Sequence, residues 1–347
     1  MKRKRKSIFV LILAFIMVFG LAACGSGTEN SSGQADGASV KNEPTVIKFA
    51  HVQPTGSYFD LSIQEFKKEV EEKTDGAVIV EIYPASQLGS DAEVTESISN
   101  GIVEMSIISG GTLSSFCDDA PTDIFSLPFL FGNSEEFYDV LSSELATEIM
   151  DSTKEYNIEA IAAFDSGFRQ LSNSVRPIES LEDVKGLKIR CPESDIWVNT
   201  MKAIGAAPTP MALSEVFTAL QTGVIDGQEN PIVAFDIYGF AEVQKYFTIT
   251  NYMNDPIFVV SSKSLLESLS DEHEQIVREA ALNAADWERN YLAENEEETL
   301  ERMQEEWGIE VTYPDLAPFR DAVESVHANY KDQELLNELK ALIDSIR

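Results

Sequence analysis

Histidine and cysteine are scarce in this chain, three of each in 347 residues. His51, His273 and His327 are scattered, the residue four after His273 is Val277, and there is no CxxC, so neither an HExxH metalloenzyme nor a zinc module fits. There is no GxSxG and no glycine-rich phosphate loop, which removes the common hydrolase and nucleotide sites. A hydrolase built on paired carboxylates stays open, because acidic residues are abundant. Basic residues are the other shortage: 26 Lys and Arg against 59 Asp and Glu, a formal charge of -33. Five of the 26 form one run, Lys2 to Lys6; without it 21 basic residues face 59 acidic ones, a net -38. A surface so acidic repels phosphate and excludes nucleic acid as a partner. An anionic ligand could be held only by cations placed locally, which singles out the arginines inside the fold.

Long apolar runs are also missing, with one exception at the start. Lys2 to Lys6 precede an apolar stretch, Ile8 to Phe19, and then Gly20-Leu21-Ala22-Ala23-Cys24. From Ile8 to Ala23 is 16 residues, short of the ~20 that cross a bilayer. This is the pattern of a secretory signal peptide, residues 1–23. Leu21-Ala22-Ala23-Cys24-Gly25 resembles the lipobox of bacterial lipoproteins, in which the cysteine is lipidated and becomes the new N-terminus. Residues 24–43, rich in Gly, Ser and Asn, read as a flexible linker. The expected location is the outer face of the cell membrane, held by lipid. Cys117 and Cys191 remain, with no framework that decides whether they pair.

The rest has the 44% apolar content and the length of about two globular domains. Strand-like Val46–His51 is followed by an amphipathic helix from Phe59 to Lys73, with Phe59, Ile63, Phe66 and Val70 on one face, and by the strand Val78–Tyr83. A strand–helix–strand order implies an α/β fold with parallel strands. Further strands are expected at Ile158–Phe164, Leu187–Arg190 and Pro256–Val260, and Ser270 to Trp307 reads as one long helix. A repeat is visible at a constant offset of 122: Glu93-Val94 falls on Glu215-Val216, Ile98 on Leu220, Gly101 on Gly223 and Glu104 on Asp226. Each copy is a helix, a glycine stop and a strand, which predicts two similar lobes facing one cleft, able to close by a hinge. Arg169 and Arg190 follow or end strands, where a planar guanidinium can grip a carboxylate through two hydrogen bonds. Gln228, Glu229 and Asn230 occupy the corresponding rim of the second copy, suited to hydroxyl and carboxylate recognition.

The segments GLKIRCPES (186–194), IGAAPTPMALSEVFTALQTGVIDGQENP (204–231), FDSGFRQLSNSVRPI (164–178), YPASQLG (83–89) and LPFLF (127–131) carry a resemblance. They resemble the extracytoplasmic solute-binding proteins of tripartite ATP-independent periplasmic (TRAP) transporters, a family that contains four-carbon dicarboxylate and sialic-acid binders. The resemblance implies a two-lobed periplasmic-binding-protein-like fold with a hinged cleft and a long helix spanning both lobes. Expected boundaries are 44–166 plus 256–295 for lobe I and 167–255 plus 296–347 for lobe II. It implies that Arg190 holds the substrate carboxylate and that Arg169 and Asn230 line the same cleft. Leu213, where the family often has an aromatic residue, argues against sialic acid, and Cys191 stands where valine is usual. A polar contact from lobe I is also implied, for which His51 and Glu96 are the candidates; His51 as a hydroxyl partner favours a sugar acid such as a uronate over a dicarboxylate. The implied role is a receptor, not an enzyme, that delivers a small organic acid to a TRAP-type permease, with no cofactor and no metal. A surface-anchored sensor or a carbohydrate-active enzyme on the same fold is the competing expectation.

Overall fold

A computed structural model describes residues 43–347; the signal segment, Cys24 and nearly all of the linker lie outside the described residues. In chain order the first part is β1 (Thr45–Ala50), α1 (Tyr58–Lys73), β2 (Val78–Tyr83), α2 (Asp91–Ser99), β3 (Met105–Ser109), α3 (Gly110–Phe116), α4 (Ser134–Leu141), α5 (Glu144–Asp151) and β4 (Ile158–Asp165). It continues with β5 (Arg169–Asn173), β6 (Lys188–Cys191), α6 (Asp195–Ala203), β7 (Ala207–Pro210), α7 (Leu213–Gln221), β8 (Gly227–Pro231), α8 (Ile232–Ile237) and β9 (Tyr246–Thr248). The last part is β10 (Pro256–Ser262), α9 (Lys263–Ser268), α10 (Asp271–Trp307), β11 (Glu310–Thr312), α11 (Ala317–Ala328) and α12 (Gln333–Ile346).

Local chemistry sets most of these boundaries. Ser57 caps α1 by accepting from Asp60 N, and the expected stripe Phe59, Ile63, Phe66 and Val70 is buried. Ser90 and Glu93 form a reciprocal capping box at the start of α2. The repeat is realised residue for residue: α2 and α7 start and stop 122 positions apart, and so do β3 and β8. Gly101 and Gly223, the paired stops, both take the left-handed backbone, at φ 67° and 70°, which a side chain would resist.

Two sheets result, in the orders β2-β1-β3-β10-β4 and β11-β9-β5-β8-β6-β7. They are built alike. In the first, β2, β1 and β3 are parallel and β10 enters antiparallel beside β3. In the second, β7, β6 and β8 are parallel and β5 enters antiparallel beside β8. The chain crosses between sheets from β4 to β5 through Ser166-Gly167-Phe168, and returns from β9 to β10. Gly167 turns the first crossover at φ 83°, and a Cβ there would stand 3.3 Å from Pro231 Cβ.

The long helix α10 extends about 55 Å at 1.5 Å per residue. Its first half packs small residues, Ala280, Ala281, Ala284 and Ala285, into the core under the first sheet, and Met303 near its end sits in the core of the second. It therefore straps both lobes. The C-terminal pair divides: α11 packs on α6, whereas α12 packs on α4, and Arg347 pairs with Glu136 there. The apolar face of α12 (Leu336, Leu339, Ile343) is buried in a core that also holds Phe137 and Val140 of α4. Cys117 and Cys191 are both free and buried, so the open question of a bridge is answered in the negative for this pair.

Candidate functional site

The carboxyl ends of β1 and β3 face those of β6 and β8, and the space between them is the cleft. It holds a pocket of about 170 Å³ and an inner recess of about 70 Å³, both lined by Asp91, Thr112, Arg190, Pro192 and Leu213. Gln53, Arg169, Asn230, Tyr238 and Asp255 wall the recess. The repeat explains two of these walls. Asp91 and Leu213 are the first residues of α2 and α7, equivalent positions 122 apart, and each projects from its own lobe.

Arg190, the penultimate residue of β6, is 4% exposed. Its Nε and Nη2 donate to the carbonyl of Met211, at 3.1 and 2.8 Å, which fixes the guanidinium at the cleft wall. Among the described residues no carboxylate lies within ion-pair distance of it, and Nη1 has no protein partner. Burial pushes its pKa down, opposed by the more distant Glu229. The result is a buried cation presented to the cavity without a counter-ion.

Arg169 is also buried, and its surroundings are the opposite. Its Nε and Nη2 grip both carboxylate oxygens of Glu229, the second at 2.9 Å, and Nη2 donates to Asn230 Oδ1 at 3.2 Å. Tyr252 donates its hydroxyl to Glu229 at 2.6 Å, and the guanidinium lies 5.7 Å from the Trp197 ring centre. Burial lowers the Arg169 pKa, but Glu229 outweighs it and the net shift is upward. A bidentate, internally neutralised pair of this kind orients Asn230 rather than offering a free charge. Gln228 stands behind: its Nε2 donates to Ser172 and its Oε1 accepts from Asn230, and it reaches neither cavity.

The two first-lobe candidates fall outside the cavities. His51 is buried with Nε2 3.2 Å from Asp60 Oδ1, and burial holds its pKa below the usual imidazole range. Asp60 in turn accepts from Gly56 N and Gln64, so His51 helps to tie the turn after β1 to α1. The following residues, Val52 and Gln53, are the ones that line the cleft. Glu96 is exposed on the outer face of α2, because a position five residues into a helix is rotated away from the end that meets the cavity. Asp91, at that end, was not singled out by sequence; its equivalence to Leu213 under the repeat was the available signal. Burial raises Asp91 to about 7, against the pull of Arg190.

Two similar lobes, two crossovers and a polar cleft with a counter-ion-free arginine are the architecture of a two-lobed solute receptor. Comparison with known proteins identifies which kind. The profile of the DctP family, bacterial extracellular solute-binding protein family 7, matches residues 49–333. A solute-binding protein of Roseobacter denitrificans is 32% identical over 90% of this chain and 93% of its own length. The sialic acid-binding periplasmic protein SiaP of Vibrio cholerae is 30% identical over 88% and 95%. Among solved structures, the sugar acid binding protein DctPAm of Advenella mimigardefordensis, in complex with galactonate, superposes with a TM-score of 0.84 at 25% identity, over 88% of this chain and 99% of that one. The chain belongs to this family and is a TRAP-type extracytoplasmic solute receptor.

Proposed function

We propose that this receptor captures a sugar acid with one carboxylate, a hexonate or hexuronate, and delivers it to a TRAP-type membrane permease. One observation carries the reading: Arg190 is a buried cation, pinned by a backbone carbonyl and lacking a counter-ion, that faces Asp91 across the cleft. A ligand carboxylate on Arg190 supplies the missing charge. Asp91, opposite, exchanges hydrogen bonds with ligand hydroxyls, and Arg169 is already neutralised by Glu229, so the cleft has no second free cation for the other carboxylate of a dicarboxylate. Asn230, oriented by Arg169 and Gln228, contributes a further polar contact, and Leu213 covers the ligand's apolar edge. Galactonate in DctPAm and galacturonate in related TRAP receptors support this choice.

In this reading lobes I and II move as bodies about the crossovers at 166–168 and 249–255, and the lipid on Cys24 keeps the receptor beside its permease. The test is a thermal-shift screen with D-galacturonate, D-glucuronate and D-galactonate against succinate and malate. A ligand at 100 times its Kd adds about 2.7 kcal/mol of stability. Stabilisation by succinate but by none of the sugar acids overturns the proposal, and an unchanged radius of gyration on adding a stabilising ligand overturns the hinge.

A further inference from the structure

We infer that the acid this receptor is built for carries an amine as well as a carboxylate: an amino-sugar acid, held as a zwitterion between Arg190 and Asp91. The inference rests on the sugar-acid reading and narrows it. Few charged side chains line the two cavities. Arg169 is spent on Glu229, Asp255 accepts from Ser126 Oγ at 2.5 Å, and Glu193 at the outer pocket is exposed to water. Arg190 and Asp91 remain, and each lines both cavities. Thr95 Oγ1 donates to the Asp91 carbonyl at 2.7 Å, but among the described residues the Asp91 carboxylate has no hydrogen-bond donor and no cation within ion-pair distance. The fold does not need an acid there. Ser90 caps α2, and Glu93 completes the capping box by accepting from Ser90 N and Oγ at 2.8 and 2.9 Å. The equivalent first residue of α7 is Leu213, so the second copy starts its helix without a charge. Both groups bear the mark of uncompensated burial: Asp91 is raised to about 7, and the Arg190 guanidinium is lowered. A hydroxy acid neutralises Arg190 alone and leaves Asp91 facing a neutral hydroxyl. An ammonium on the same ligand neutralises Asp91 too, through charge-assisted hydrogen bonds roughly twice as strong as neutral ones.

The test is titration calorimetry at neutral pH on the full chain carrying Cys24→Ala, with two matched pairs of ligands. D-gluconate and D-glucosaminate differ by an amine beside the carboxylate; D-galacturonate and D-galactosaminuronate differ by an amine across the ring from it. In at least one pair the amino member should bind about 10-fold more tightly, or better, than its hydroxy counterpart. Asp91→Asn keeps the shape and removes the charge. It should erase that preference, weakening the amino member about 30-fold or more and the hydroxy member only a few-fold. Hydroxy members that bind as tightly as their amino counterparts in both pairs overturn the inference and leave the sugar-acid reading standing. So does an equal loss for both members in Asp91→Asn, which makes Asp91 a reader of hydroxyls. Binding of none of the four overturns the sugar-acid reading, and this inference with it.

Discussion

Arg169 and Arg190 lie in the same cleft, and both are about 95% buried, yet the structure predicts opposite consequences for removing them. Arg169→Met leaves Glu229, itself fully buried, with only the Tyr252 hydroxyl and no cation. Breaking a buried pair by deleting one partner costs about 3–5 kcal/mol. At roughly 2 °C per kcal/mol for a large domain, the melting temperature should fall by about 6–10 °C. Arg190→Met removes a buried charge that has no counter-ion, and keeps a stem of similar volume. The loss is two hydrogen bonds to one carbonyl, Met211 O, about 1–3 kcal/mol, and the relief of desolvating a guanidinium offsets it. The ligand-free melting temperature should therefore stay within a few degrees of wild type or rise. Binding should behave in reverse. Arg190→Met loses about 2–5 kcal/mol of ligand affinity, roughly 30-fold to several thousand-fold, and Arg190→Lys keeps the charge but loses the planar fork, so it also binds poorly. Differential scanning calorimetry of the empty variants and titration with D-galacturonate give both readings. If Arg190→Met destabilises the empty protein as much as Arg169→Met, or retains wild-type affinity with an intact circular dichroism spectrum, the reasoning about the uncompensated cation fails.

Asp255, buried on the return crossover, is raised to about 7 by burial, so the folded state holds a proton between about pH 4 and 7 that the unfolded state has released. Its contribution is fully present below pH 4 and is lost as pH rises toward 7; Asp255→Asn should raise the melting temperature relative to wild type at pH 8 and not at pH 4, and a pH-independent difference refutes the assignment. Gly111, the second residue of α3, lies where a Cβ would come within 2.3 Å of the fully buried Trp197 ring and 2.8 Å of Ser194 Oγ, so Gly111→Ala should cost roughly 1–3 kcal/mol in urea denaturation, with wild-type stability as the refuting result. Cys24→Ala should release the protein from the membrane fraction; equal fractionation of variant and wild type removes the lipid anchor.

What could be read from the sequence is what neighbouring residues decide. Helix α1 differs from its expected span by one residue and α10 by one, because serine caps, glycine stops and apolar periodicity act within a turn or two of chain. The repeat at 122 was legible for the same reason, since each copy is a local helix–glycine–strand unit, and it already implied two lobes around a cleft. The family's motifs likewise brought Arg190, Arg169, Asn230 and Leu213 to attention, and the fold gathers all four at one recess. What a side chain does there was settled only in three dimensions. Arg169 and Glu229 are 60 residues apart, and only the antiparallel register of β5 on β8 brings them together and spends one arginine on the protein itself. Arg190 keeps its charge for the cavity because the chain after β7 offers it a carbonyl instead of a carboxylate. His51 and Gln53 differ by two positions, and the exit angle of β1 turns one into the protein and the other into the cleft. The antiparallel entry of β10 and the docking of α12 on α4 had no local signal at all. Contacts between distant segments depend on which apolar faces remain uncovered after the sheets have formed, and that is a property of the assembled surfaces rather than of any stretch of residues.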